Sequence, residues 1–125
     1  MKIAFAFAAL LLLVPARSSH ADAAADNAKL MEKAMAVMED MANIIDANKD
    51  ACDPMGDKLN VYVDKQAPFF KQLKDATKNL TADQKKALTD KYSDRMGKAV
   101  KKMTPGMTNC QKNAKVTAAM AKASG

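Results

Sequence analysis

From residue 30 onward, apolar side chains recur at steps of three and four: Leu30, Met31, Ala34, Val37, Met38, Met41, Ile44 and Ile45. That spacing puts them on one face of an α-helix. Glu32, Lys33, Glu39, Asp40, Asn43 and Asp46 fill the opposite face. The stripe is wide, as for a helix packed against two or more neighbours. Asp26 or Asn27 can cap its start, and Asn48-Lys49-Asp50 breaks it.

The same period continues twice more. Asp50 can cap a second helix whose stripe is Cys52, Met55, Leu59, Tyr62 and Val63, with Pro54 tolerated in the first turn. Pro68 predicts a kink, or a restart in the same direction carrying Phe69, Phe70 and Leu73, because Leu59, Gln66, Phe69 and Ala76 keep one register across it. Thr77 to Leu80 reads as a turn. Thr81-Ala82-Asp83-Gln84 is a capping box that opens a third helix. Its apolar face is Leu88, Tyr92, Met96, Ala99, Val100 and Met103. Thr104-Pro105-Gly106 is expected to bend or end it, leaving Met107 and Cys110 in a short turn. Asn113 can then cap a last segment with Val116, Ala119 and Met120. No segment alternates apolar and polar residues, and short connections favour antiparallel neighbours. The expected fold is all-α, a small up-down helical bundle of three long helices plus a short C-terminal helix.

The first stretch has a different pattern. Lys2 precedes an unbroken apolar run, Ile3 to Val14, too short to span a bilayer and right for a secretory leader. Ser19-His20-Ala21 places small residues where signal peptidase reads them. Residues 1–21 are therefore expected to be a signal peptide, with Ala23 the second choice of cut, and 22–125 a single helical-bundle domain. The product is expected to be periplasmic or secreted and not inserted in a membrane.

Export changes the reading of the two cysteines. Thiols oxidise outside the cytosol, and in an antiparallel pair the start of the second helix lies beside the end of the third. Cys52 and Cys110 are expected to form a structural disulfide. The alternative is a soft-sulfur site: Cys52-x-x-Met55 and Met107-x-x-Cys110 could converge to hold Cu(I) if both thiols were reduced. The remaining methionines fall mostly on apolar stripes and read as core, with Met35 near the edge of its stripe and expected to be exposed.

Charge is split along the chain. Residues 22–64 carry ten acids and four bases, and residues 65–125 four acids and fourteen bases. Two complementary helical halves account for this most simply. The sharper reading is a basic binding face, Lys85, Lys86, Lys91, Arg95, Lys98 and Lys102, that meets acidic or unfolded protein clients. Export argues against nucleic acid as the ligand. The one histidine of the sequence, His20, lies in the leader. The usual general base, metal ligand and Cys-His or Ser-His pairs are thus missing. No catalytic residue and no cofactor are expected, and a non-enzymatic binding protein is the favoured class, with a copper or small-ligand carrier as the alternative.

Leu80-Thr81-Ala82-Asp83-Gln84 matches an LTxxQ motif, and with the following Lys85-Lys86-Ala87-Leu88 resembles the Spy/CpxP family of periplasmic proteins. The resemblance implies an all-helical chaperone-like protein that holds unfolded clients on a basic, partly apolar surface. The chain departs from the family pattern where Leu88-Thr89-Asp90-Lys91-Tyr92 lacks the glutamine of a second copy, and in its two cysteines.

Overall fold

A computed structural model of the chain describes residues 27–124. The expected leader, its cut after Ala21 and a cap at Asp26 lie outside the described residues. All regular structure among the described residues is helical: α1 over residues 27–47, α2 Cys52–Thr77, α3 Ala82–Cys110 and α4 Ala114–Ser124. The all-α class, three long helices and one short one, is as expected. No described helix is long and apolar enough to cross a membrane. Residues Lys33–Gly125 form one compact unit.

Two helix boundaries differ from the sequence expectation, and at Pro68 the continuous alternative is the one found. The N-cap of α2 is Ala51, which has no side-chain cap, in place of Asp50. The amide of Met55 bonds the Ala51 carbonyl, so the first turn closes one residue later. Pro68 neither ends nor restarts α2, which runs unbroken through it. Pro105 likewise sits inside α3, so Met107 and Cys110 belong to the last turn of that helix and not to a separate loop. Both prolines are exposed. The carbonyls they leave without an amide partner, on Asp64 and Lys101, therefore lie on the wet side of their helices, where water can take the missing bond. Thr104 Oγ1 also donates to the Val100 carbonyl at 2.7 Å, one residue before Pro105.

The two other predicted caps form. Thr81 Oγ1 accepts from the Gln84 amide (3.2 Å) while Gln84 Oε1 accepts from the Thr81 amide (2.9 Å). Asn113 Oδ1 accepts from the amides of Lys115 and Val116, and its Nδ2 donates to Asp53 Oδ1 at 2.8 Å, which ties the start of α4 to the start of α2.

The core is densest beside the cysteines. Ile45, Met55, Leu59, Val63, Val116 and Cys110 are fully buried. Cys52 and Cys110 are joined, with S–S 2.08 Å and Cα–Cα 5.3 Å. Two glycines allow the close approach there. A Cβ on Gly106 would stand 2.6 Å from Ile45 Cγ2 and 2.9 Å from the Ile45 carbonyl oxygen. One on Gly56 would stand 2.4 Å from Lys115 Cβ. Gly106 thus serves α1–α3 packing and does not end α3. Further contacts join α1 and α2 through Tyr62 to Asp40 (2.9 Å), Lys58 to Asn48 (3.1 Å) and Lys33 over the Phe69 ring (4.8 Å).

Two burial expectations are corrected. Met35 is buried, at 3% exposure, because α1 packs against both α2 and α3 and its covered arc is wider than one stripe. Val100 is exposed, because the buried line of α3 runs Tyr92, Ala99, Gly106 and Cys110, and residue 100 lies a further 100° around the helix.

Candidate functional site

The six cations of the predicted binding face do not share one face of α3. At 100° per residue, Lys91, Arg95, Lys98 and Lys102 form a single stripe at steps of four, three and four, flanking the buried line on the side toward α1. Lys85 falls in register with Tyr92, Ala99 and Gly106, the core-facing line itself, yet is exposed. Lys86 lies on the other flank, where it pairs with Asp90 at 3.3 Å. Both members are well exposed, so the pair is worth about 0.3–0.5 kcal/mol.

The stripe is partly engaged by α1. Arg95 Nε and Nη2 both donate to Glu39 Oε1, the first at 3.0 Å. Lys102 Nζ donates to Asn43 Oδ1. Lys91 lies 5.3 Å from the Tyr92 ring centroid, a cation–π contact at the edge of the core. Lys98 is exposed, and no carboxylate among the described residues pairs with it. Between the helices, Ala42 and Ala99 form a floor of two small buried residues. Over it lies a notch of about 180 Å³ walled by Glu39 and Asn43 on one side and Arg95, Lys98 and Lys102 on the other.

The α2–α3 turn presents a different surface. From residue 70 to 91 no side chain is buried, whereas Phe69 and Tyr92 on either side are. Phe70, Leu73, Leu80 and Leu88 are each half-open to solvent. Six lysines, at 71, 74, 78, 85, 86 and 91, stand among them against three aspartates. Apolar area and positive charge are therefore interleaved over one stretch of chain.

Complementary charge joins the acidic and basic halves elsewhere. Lys115 pairs with Asp57 and Lys122 with Asp64, both at 3.0 Å. The hydrogen bond to Asp57 and its charge hold the Lys115 ammonium above its ordinary pKa. On the α1–α2 side, Ile44, Val61 and Tyr62 line a shallow dip of about 440 Å³ rimmed by Asp57, Lys58 and Lys65. Burial, then the hydrogen bond to Asp40, pushes the Tyr62 phenol well above its usual range.

Of the four sulfurs considered for Cu(I), three are located by the packing beside the disulfide. Cys52 and Cys110 are consumed in the disulfide, and Met55 is fully buried beside the Gly106 position. Gly56, Glu39 and Asn43 are the residues the sequence reading passed over. A glycine in line with Cys52, Leu59 and Val63 on an apolar stripe was the available signal for Gly56. Glu39 and Asn43 carry no local signal, since only the placement of α3 gives them partners. Compared with models of known protein families, with curated proteins and with solved structures, the chain matches none.

Proposed function

We propose that this is an exported, non-enzymatic up-down bundle that works by holding unfolded or acidic protein segments. The up-down arrangement is supported by the register of its contacts. Asn48, Asp40 and Lys33 meet Lys58, Tyr62 and Phe69 in reverse order, while Glu39, Asn43 and Ile45 meet Arg95, Lys102 and Gly106 in the same order. Export is supported by the leader pattern and by a disulfide, the bond of oxidising compartments.

The observation that carries the functional reading is the stretch from 70 to 91. A closed bundle would have buried Phe70, Leu73, Leu80 and Leu88 and placed an apolar residue where Lys85 stands. Here these side chains stay half-open among six lysines. An unfolded segment exposes apolar residues that can cover such a surface, and acidic neighbours on it gain from the lysines. The resemblance of Leu80–Gln84 to the Spy/CpxP motif points the same way.

Light scattering of an acidic client protein diluted from denaturant, with no reductant present so that Cys52–Cys110 stays closed, tests this. Stoichiometric protein is expected to suppress aggregation, less so at raised ionic strength, since screening weakens exposed charges. Reversing Lys85, Lys86 and Lys91 to Glu is expected to abolish the suppression. No suppression at stoichiometric amounts would remove the reading.

A further inference from the structure

We propose that the notch between α1 and α3 is a binding site for a small oxyanion, a phosphate or a carboxylate, held by Lys98 and Lys102. The site goes beyond client holding and does not depend on it, because it lies over the buried part of α3 and not at the α2–α3 turn.

Three features carry this. The first is shape. Ala42 and Ala99 are small residues that face each other across α1 and α3, and both are almost fully buried. Long side chains one turn to either side rise past them and leave a recess of about 180 Å³. Pockets for drug-sized molecules run about 300–1,000 Å³, so this recess suits an ion or a single acidic group. The second is charge. Three cations, Arg95, Lys98 and Lys102, line the recess together with one carboxylate, Glu39. The third is that a carboxylate already occupies part of it. Arg95 takes Glu39 Oε1 through two nitrogens. Lys102 has instead settled on the neutral acceptor Asn43 Oδ1. An ammonium bound to an amide oxygen gains more from an ionised acceptor. A soluble anion entering the recess therefore finds Lys102 on one wall and Lys98 at the rim, with the Asn43 amide released to donate. Glu39 is the internal competitor for this position.

The test is a titration of the full chain with sodium phosphate, and separately with sodium acetate, at constant ionic strength, followed by backbone amide shifts. Saturable shifts confined to residues 39–43 and 95–102 are expected. The two arms distinguish a phosphate from a carboxylate site. Lys98→Ala with Lys102→Ala should weaken binding by about tenfold or more, as loss of a charge-assisted hydrogen bond implies. Lys85→Ala with Lys86→Ala should leave it unchanged. Glu39→Gln should tighten it by about threefold, the scale of a half-exposed ion pair. Linear shifts spread over all lysines, or equal affinity in the Lys98/Lys102 variant, would overturn the site. Unchanged or weaker affinity in Glu39→Gln would overturn the role of Glu39 as competitor. Client holding by the Lys98/Lys102 variant reads out the turn surface separately.

Discussion

Gly56 lies in the second turn of α2 and Gly97 in the middle of α3, and the same substitution should have opposite effects at the two. Replacing an exposed helical glycine by alanine stabilises a helix by about 1 kcal/mol, through backbone entropy alone. At Gly97 nothing lies within 4 Å of the position a Cβ would take, so the full gain is expected. At Gly56 the new atom would stand 2.4 Å from Lys115 Cβ, and 3.0 Å from Lys115 C and Val116 N. Two of those three are backbone, which cannot rotate away. Carbon atoms rest about 3.5–4.0 Å apart, so α4 must move by roughly 1 Å. That shift loosens Val116 and Ala119, both fully buried, and stretches the bond from Asn60 Nδ2 to the Lys115 carbonyl (3.0 Å). Overpacking of this kind costs about 1–3 kcal/mol. With a backbone clash the upper end applies, and after the helix gain a net loss of about 2 kcal/mol remains. For a chain of this size that is a fall of about 8–16 °C in Tm for Gly56→Ala, against a rise of about 4–8 °C for Gly97→Ala. Thermal unfolding followed by far-UV circular dichroism, with the disulfide intact, measures both. A Gly56→Ala protein as stable as Gly97→Ala would refute the close packing of α4 on α2.

Reducing the Cys52–Cys110 bond, which closes a loop of 58 residues' separation, should lower stability by about 4 kcal/mol in the chain-entropy model, read as the urea midpoint with and without reductant. Tyr62 ionises only at strongly alkaline pH because burial and the Asp40 carboxylate both oppose the phenolate. Its folded pKa lies above the unfolded value near 10. Its contribution to stability is thus complete below that value and is lost as pH rises through the folded pKa. Phenolate absorbance should show Tyr62 titrating late, and Asp40→Asn should bring it back toward normal; a late Tyr62 titration unchanged by that variant would contradict the pairing. Tyr92 is 2% exposed, and its hydroxyl has no hydrogen-bond partner among the described residues. An unsatisfied buried hydroxyl costs about 1–3 kcal/mol, so Tyr92→Phe should be neutral or stabilising by up to about 1 kcal/mol in the same unfolding assay.

What the sequence could disclose was local. The Thr81 box and the Asn113 cap need only a few adjacent residues, and both form. The four helices follow from spacing alone. The errors arose where a neighbour decided the outcome. Pro105 looks like a break, but it sits on the solvent side of a helix whose buried residues on both flanks, Ala99, Gly106 and Cys110, are packed against other helices, so continuity is favoured despite the lost bond. Gly106 reads as the end of a helix until Ile45 is placed against it. The lysines of α3 were legible as a basic population but not as a site. Which of them flank the core, which stand in line with it and which face Asn43 depends on where α1 lies.

A tightly packed region beside the disulfide adjoins an open, basic stretch at residues 70–91. Amide hydrogen exchange of the native chain, alone and with unfolded client, tests that most directly. Slow exchange is predicted across residues 41–63 and 99–119, with fast exchange over 70–91 that slows when client is added. Uniform protection in the free protein, or client protection falling outside 70–91, would contradict it.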